Sequence, residues 1–249
     1  MFKSVIEYVP LLVQQKEGKM DSSKCWYKKV CEFSNTDYCG NHCVRFLEMK
    51  ALLEQSNLPE SKWFPKKLFV QEVDREAYKK LNDIKSDILN FVRDGRQLYI
   101  ESKYPGNGKT TWAIKILLKY FNDVWNGNGL QMRGVFISVP LFINQLKNNI
   151  DKKDESLVEL KHNIETADIV VWDDISSTLS STYDYNQIST YIEMRLLQDK
   201  CNIFTSNIEG EKEVYKVLGY RLASRIYNGA TVVTLRGLDM RDLNKGEES

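Results

Sequence analysis

Four short stretches of this 249-residue chain put reactive side chains at spacings suited to phosphate chemistry. The first is KYPGNGKTT, residues 103–111, where two glycines precede a lysine and two threonines. Pro105, Gly106, Asn107, Gly108, Lys109, Thr110 and Thr111 form a candidate phosphate-binding loop. Backbone N–H groups from Gly106 to Thr110 would converge on an anion at a helix N-terminus, helped by the positive end of the helix dipole. Gly106 and Gly108 permit a close approach that a β-carbon hinders. Lys109 suits the β- and γ-phosphates of a nucleotide, and the Thr110 hydroxyl suits Mg²⁺. The full pattern G-x-x-x-x-G-K-[ST] lacks its first glycine, because Lys103 stands there. Pro105 restricts the turn and partly offsets that loss.

The second stretch is IVVWDD, residues 169–174, an apolar run closed by two acids. Asp173 is placed to coordinate Mg²⁺, and Asp174 to orient or deprotonate an attacking water. The third is FTSN, residues 204–207, where Asn207 could position that water; asparagine at a strand end is equally a turn former. The fourth is GYRLASRIYNG, residues 219–229, with Arg221 and Arg225 sharing a helical face at i, i+4 spacing. Arginines there suit a γ-phosphate presented across a subunit interface, Arg225 first and Arg221 second. Each stretch alone is weakly specific. Their order and spacing carry the reading.

Such residues work only if strands and helices deliver them to one place. Apolar runs at 97–102, 134–139, 168–173, 202–207 and 230–235 read as buried strands. Helical patterns fall between them. One expected helix covers 74–93, with Ala77, Leu81, Ile84, Ile88 and Phe91 on one face, and another leaves the glycine loop at Thr110. Alternating strands and helices predict an α/β domain with a parallel sheet flanked by helices and a site at the carboxyl ends of the strands. Upstream, VRFLEMKALLEQ (44–55) has helical spacing, and SNLPESKWFPKK reads as a linker. The expected organisation is a cysteine-rich N-terminal domain over 1–60, a linker over 61–73 and a nucleotide-binding domain over 74–249.

Composition narrows the function classes. The chain is 42% hydrophobic and 28% charged, an ordinary globular balance. Residues 1–70 carry 11 basic and 8 acidic residues, a charge of +3, and the remainder carries 24 and 26, a charge of −2. Neither part has the basic footprint of tight stand-alone DNA binding, so protein partners are the first expectation, with a basic groove built across several subunits still open. No apolar run approaches the length that spans a bilayer, and Glu7 interrupts the first apolar segment. A cytosolic location without a membrane is therefore expected. In such a reducing compartment, clustered thiols favour metal over disulfide.

The ordered motifs GNGKT, VVWDD, TSN and RLASRI, ending in TLRGLDMR, resemble the AAA+ ATPases of the DnaC/DnaI helicase-loader group, with IstB-type transposition ATPases as relatives. The resemblance covers roughly residues 75–242. It implies an ATP-dependent protein, with Mg²⁺, that binds a hexameric replicative DNA helicase and helps place it on single-stranded DNA. It also implies self-association through the AAA+ domain. By position, Lys109 and Thr110 match Walker A, Asp173 and Asp174 Walker B, Asn207 sensor 1 and Arg225 the arginine-finger region. Arg241 matches sensor 2, with Arg236 as the alternative. Compact phage loaders of the group are similar in having a small N-terminal helicase-binding module, sometimes with zinc. Cys25-x5-Cys31-x7-Cys39-x3-Cys43 offers four thiolates, enough for one tetrahedral structural Zn²⁺, with His42 as an alternative to Cys43. The second Walker B acid is Asp where many AAA+ motors carry Glu, so slow, partner-dependent hydrolysis is expected. An IstB-like helper of a transposase and a helicase adaptor without turnover are the alternative readings.

Overall fold

The computed structural model describes residues 25–34, 36, 39–40, 43–124, 131–149, 154–176 and 181–240. The chain forms two compact units, residues 1–51 and 52–249, and each is described by itself.

In the smaller unit, the described residues after Cys25 form short hydrogen-bonded turns, with Cys31 N donating to Tyr27 O and Cys43 N to Gly40 O. Helix α1 (Val44–Gln55) follows. Its first turns supply Phe46, stacked on Trp26 at 5.2 Å, and Arg45, whose guanidinium lies 4.2 Å over the Tyr27 ring. Cys25, Cys31, Cys39 and Cys43 are all free thiols. Among the described residues, no three His, Cys, Asp or Glu side chains converge to hold a metal, so the structure gives the expected zinc site no support. Ring stacking and a cation–π contact pack the segment against the start of α1. His42 lies outside the described residues.

The larger unit is built on a parallel sheet. Its strands are β1 (Gln97–Glu101), β2 (Gly134–Ser138), β3 (Ile169–Asp173), β4 (Cys201–Ser206) and β5 (Ala230–Thr234). They lie in the order β2-β3-β4-β1-β5, every pair parallel. β1 and β4 sit inside the sheet and are buried throughout, with apolar centres and polar ends that hydrogen-bond to neighbouring strands. Glu101 pairs with Ser206 and Trp172 with Phe204, so the carboxyl ends of β1, β3 and β4 lie side by side.

Helices cover the sheet. α2 (Arg75–Ser86) and α3 (Ile88–Arg93) occupy the span expected as one helix, because Asp87 leaves helical geometry at φ −107°, ψ 30°. Its carboxylate accepts from Asn90 Nδ2 at 2.6 Å, a local bond that competes with helix continuation. α4 (Lys109–Asp123) follows the glycine loop, and α5 (Val139–Asn148) and α6 (Glu155–Thr166) lead into β3. α7 (Thr182–Leu197) precedes β4, and α8 (Glu211–Tyr227) precedes β5 with a break at Gly219. Among the described residues, no helix is long and apolar enough to cross a membrane.

A buried polar network fixes the strands relative to one another. Arg195, fully buried on α7, donates to Asn202 Oδ1 at 2.8 Å and to the carbonyls of Ile164, Ala167 and Cys201. Burial lowers its pKa to about 10. Trp172 Nε1 donates to the same Asn202 oxygen, and Asn202 Nδ2 donates to Gln97 Oε1. β1, β3 and β4 are thereby tied together, which matters because their far ends build the site.

The residues expected as a linker form two 3₁₀ turns, Glu60–Lys62 and Glu72–Asp74. Just before them, Ser56 O accepts from Phe136 N at 2.7 Å and Asn57 Nδ2 donates to Phe136 O, covering part of the β2 edge.

Candidate nucleotide site

The candidate site begins where β1 ends. Ser102–Gly108 leave the strand, and Trp112 N donates to Gly108 O at 2.8 Å as α4 begins. Gly106 (φ 73°) and Gly108 (φ 101°) adopt left-handed backbone conformations. A β-carbon on Gly106 would lie 1.8 Å from an Asp239 carboxylate oxygen, and one on Gly108 would lie 2.9 Å from Leu68 Cδ2. Lys103 is exposed and is not among the described non-glycine residues with positive φ, which are Asn57, Asp174 and Asp199. The position that the pattern assigns to glycine therefore needs none of glycine's freedom here.

The loop is braced from within. Ser102 Oγ accepts from Tyr104 N at 3.0 Å and from the buried Asn107 Nδ2 at 2.5 Å. Asn107 Nδ2 also reaches Leu235 O, and Met240 N donates to Gly106 O at 3.0 Å. Lys109, 7% exposed, donates to Tyr104 O at 2.9 Å and lies 3.5 Å from Asn107 Oδ1. Its ammonium thus sits at the mouth of the loop, satisfied by loop oxygens.

The acids meet the loop from β3. Asp173 Oδ1 accepts from Thr110 Oγ1 and Thr205 Oγ1, each at 2.7 Å. Burial raises the Asp173 pKa, and the Asp174 charge adds to that rise. The bonds from Thr205 and Thr110 and the Lys109 charge oppose it. Asp174, at φ 57°, accepts from Asn207 Nδ2 at 2.9 Å, and its own N–H donates to Thr205 Oγ1 at 2.9 Å. Lys109, Thr110, Asp173, Asp174 and Asn207, singled out separately along the sequence, thus come together. Thr205 joins them and was not singled out. A two-residue step back from Asn207 along FTSN finds it, since Thr205 lies near the end of β4 and Asn207 just past it.

These residues line a cavity of about 720 Å³. Its opposite wall comes from the segment read as a linker and includes Phe64, Lys66 and Leu68. Backbone donors, a buried ammonium, a threonine hydroxyl and two carboxylates in a cavity of that size suit a nucleotide triphosphate with Mg²⁺. The left-handed glycines leave the loop the close approach that phosphates require.

The arginines lie elsewhere. Arg221 and Arg225 on α8 both pair with Glu193 on α7, at 3.0 and 2.6 Å, so the i, i+4 spacing brings them to one carboxylate. Neither lines the cavity. Arg236 Nε lies 3.9 Å from Glu209 Oε1, and Arg241 lies outside the described residues.

No protein-family model and no curated protein matches the sequence. Solved structures do match. The DnaC helicase loader matches at 23% identity and TM-score 0.57, over 71% of this chain and 99% of that one. A DnaI structure matches at 17% identity and TM-score 0.55, over 72% and 95%. AMPPCP-bound DnaA from Aquifex aeolicus matches at 17% identity and TM-score 0.54, over 73% of this chain and 54% of that one. The five-stranded parallel sheet flanked by helices, with a glycine loop and paired acids at its carboxyl edge, is a fold that this chain shares with the DnaC, DnaI and DnaA structures.

Proposed function

We propose that this protein is an ATP-dependent loader of a hexameric replicative DNA helicase, acting during DNA replication to deposit that helicase on single-stranded DNA. The observation that carries the reading is the bonded set Thr110–Asp173–Thr205 and Asn207–Asp174 beside the glycine loop, on a fold shared with the DnaC helicase loader. Bound Mg²⁺-ATP would supply a γ-phosphate open to attack by water. Gly106–Thr110 and Lys109 would hold the phosphates, and Thr110 with Asp173 would hold the metal. Asp174, oriented by Asn207, would hold the water and take up its proton. Its short side chain reaches less far than a glutamate, in line with slow turnover that a partner or single-stranded DNA accelerates. Arg225, with Arg221, would act on the site of a neighbouring copy, and Arg241 would sense the nucleotide from the C-terminal segment. Residues 1–60 would bind the helicase and 74–249 the nucleotide, joined by 61–73.

The test is to mix the full-length chain with the replicative helicase of its host and follow the mixture by size exclusion and ATP turnover. A complex whose turnover rises with single-stranded DNA is expected. Failure to form that complex with ATP, with ADP or without nucleotide overturns the loader reading. Nucleotide binding without a helicase complex would leave an ATPase of another kind.

A further inference from the structure

Thr205 closes the site and has no assigned role. It is 2% exposed, and it makes three bonds to residues 173–175, two of them to the acid pair. Its hydroxyl donates to Asp173 Oδ1 at 2.7 Å and accepts from Asp174 N at 2.9 Å. Its main-chain oxygen accepts from Ile175 N at 3.0 Å. One residue of β4 thus governs three consecutive residues of β3 and the turn after it. Asp174 in the middle adopts a left-handed φ of 57°, a conformation that a non-glycine residue keeps only when its surroundings impose it. Two residues on, just past the end of β4, Asn207 holds the Asp174 carboxylate. The end of β4 therefore controls both carboxylates: one through Thr205, the other through the Asp174 backbone and Asn207.

Resting on the nucleotide-site reading above, we propose that Thr205 is a positioning residue that fixes the separation and orientation of Asp173 and Asp174. Two hydroxyls share Asp173 Oδ1, and they differ in duty. Thr110 lies at the start of α4, where its oxygen is available to a metal. Thr205 lies in the buried strand end, and both of its hydroxyl bonds go to the acid pair. It keeps the Asp173 carboxylate from rotating while the Thr110 oxygen takes up the metal. Because the same oxygen accepts from Asp174 N, any shift of one acid is transmitted to the other. The hydroxyl does this work. Valine matches the shape of threonine without it, and serine keeps it without the methyl group.

The experiment uses the full chain with Thr205→Val and Thr205→Ser. Binding of a fluorescent ATP analogue is titrated with Mg²⁺ and with a chelator, and turnover is measured alongside. Thr205→Val is expected to keep its Mg²⁺-free binding. It should need more Mg²⁺ for tight binding and lose turnover, each by roughly tenfold, the scale of one hydrogen bond to a charged group. Thr205→Ser should restore most of both. A merely structural threonine would instead lower the melting temperature and weaken binding equally with and without Mg²⁺. That result overturns the inference, as does a serine variant as defective as valine. If Thr205→Val does not fold, Thr205→Ala removes the same hydroxyl without bulk. Misfolding of both marks a structural hydroxyl, and the inference falls. Wild-type protein that binds no nucleotide sinks the site reading itself, and this inference with it. Normal wild-type binding with an unchanged valine variant sinks this inference alone.

Discussion

At the scale of single residues, the site places an acid where an acid is costly. Burial raises the Asp173 pKa, so the folded state binds a proton there more tightly than the unfolded chain does. The sign follows. The folded state gains from protonated Asp173 below the ordinary carboxylate range, and it loses that advantage as pH rises through the raised value. Asp173→Asn should therefore stabilise the nucleotide-free protein at neutral pH, with a melting temperature higher by about 2–4 °C for about 1 kcal/mol in a domain of this size. The gain should shrink towards low pH, and Mg²⁺-dependent nucleotide binding should be lost. A variant less stable than wild type at neutral pH would show that the bonds from Thr110 and Thr205 outweigh burial. Much of the site was legible residue by residue: Lys109, Thr110, Asp173, Asp174 and Asn207 belong to motifs whose types and spacing declare them. Thr205 was not, because a threonine inside a strand looks like ordinary β-propensity until its partners across β3 are seen. Lys103 looked like a defect because the motif is written in residue names, whereas the loop needs left-handed backbone only at Gly106 and Gly108.

At the scale of elements, the glycine loop is held on the outside by the segment after β5. Met240 N bonds Gly106 O, and the Asp239 carboxylate fills the space a Gly106 β-carbon would need. Gly106→Ala combines a left-handed φ with that clash, so it should destabilise the protein by more than about 1 kcal/mol and weaken nucleotide binding. Thermal unfolding and nucleotide titration check this, and an alanine variant with wild-type affinity would mean the segment moves aside freely. That segment is itself anchored. Fully buried Asp74 accepts from Arg236 N at 2.6 Å and Gly237 N at 3.0 Å, while Gln71 exchanges two bonds with Leu238. Asp74→Ala leaves two backbone donors without their carboxylate and should cost about 2–3 kcal/mol, read as a lower melting temperature. Binding should weaken with it, since Leu235 and Met240 brace the loop. None of these contacts was legible beforehand, for each joins residues more than 120 positions apart with no repeating pattern to mark them. The strands were legible, because each carries a short apolar run, such as Leu98–Ile100 or Val170–Trp172, at the spacing a buried parallel strand needs. The break at Asp87 was not, since Leu81, Ile84, Ile88 and Phe91 keep helical spacing across it.

At the scale of the whole molecule, two further groups of residues read as chemistry, and the structure treats each differently. The four thiols Cys25, Cys31, Cys39 and Cys43 form no disulfide, and among the described residues no three His, Cys, Asp or Glu side chains converge on a metal. Arg221 and Arg225 are organised, but by Glu193 of their own chain. Two arginines converging on one carboxylate, outside the cavity of their own subunit, are what a head-to-tail assembly would use to reach the next subunit's nucleotide. Lys109→Ala and Arg225→Ala should each abolish turnover in the helicase-bound protein. If Arg225 acts across subunits, an equal mixture should regain it. An interface works when a subunit with intact Lys109 faces a neighbour with intact Arg225, and random head-to-tail pairing makes about a quarter of interfaces so. Turnover near that fraction of wild type, measured on the mixed assembly, supports arginines acting in trans. A mixture as inactive as either parent means that Arg225 only holds α8 against α7 through Glu193. Glu193→Ala separates those roles. It should cost little stability if the exposed ion pairs are weak, yet it frees both arginines and should alter turnover only in the assembled protein.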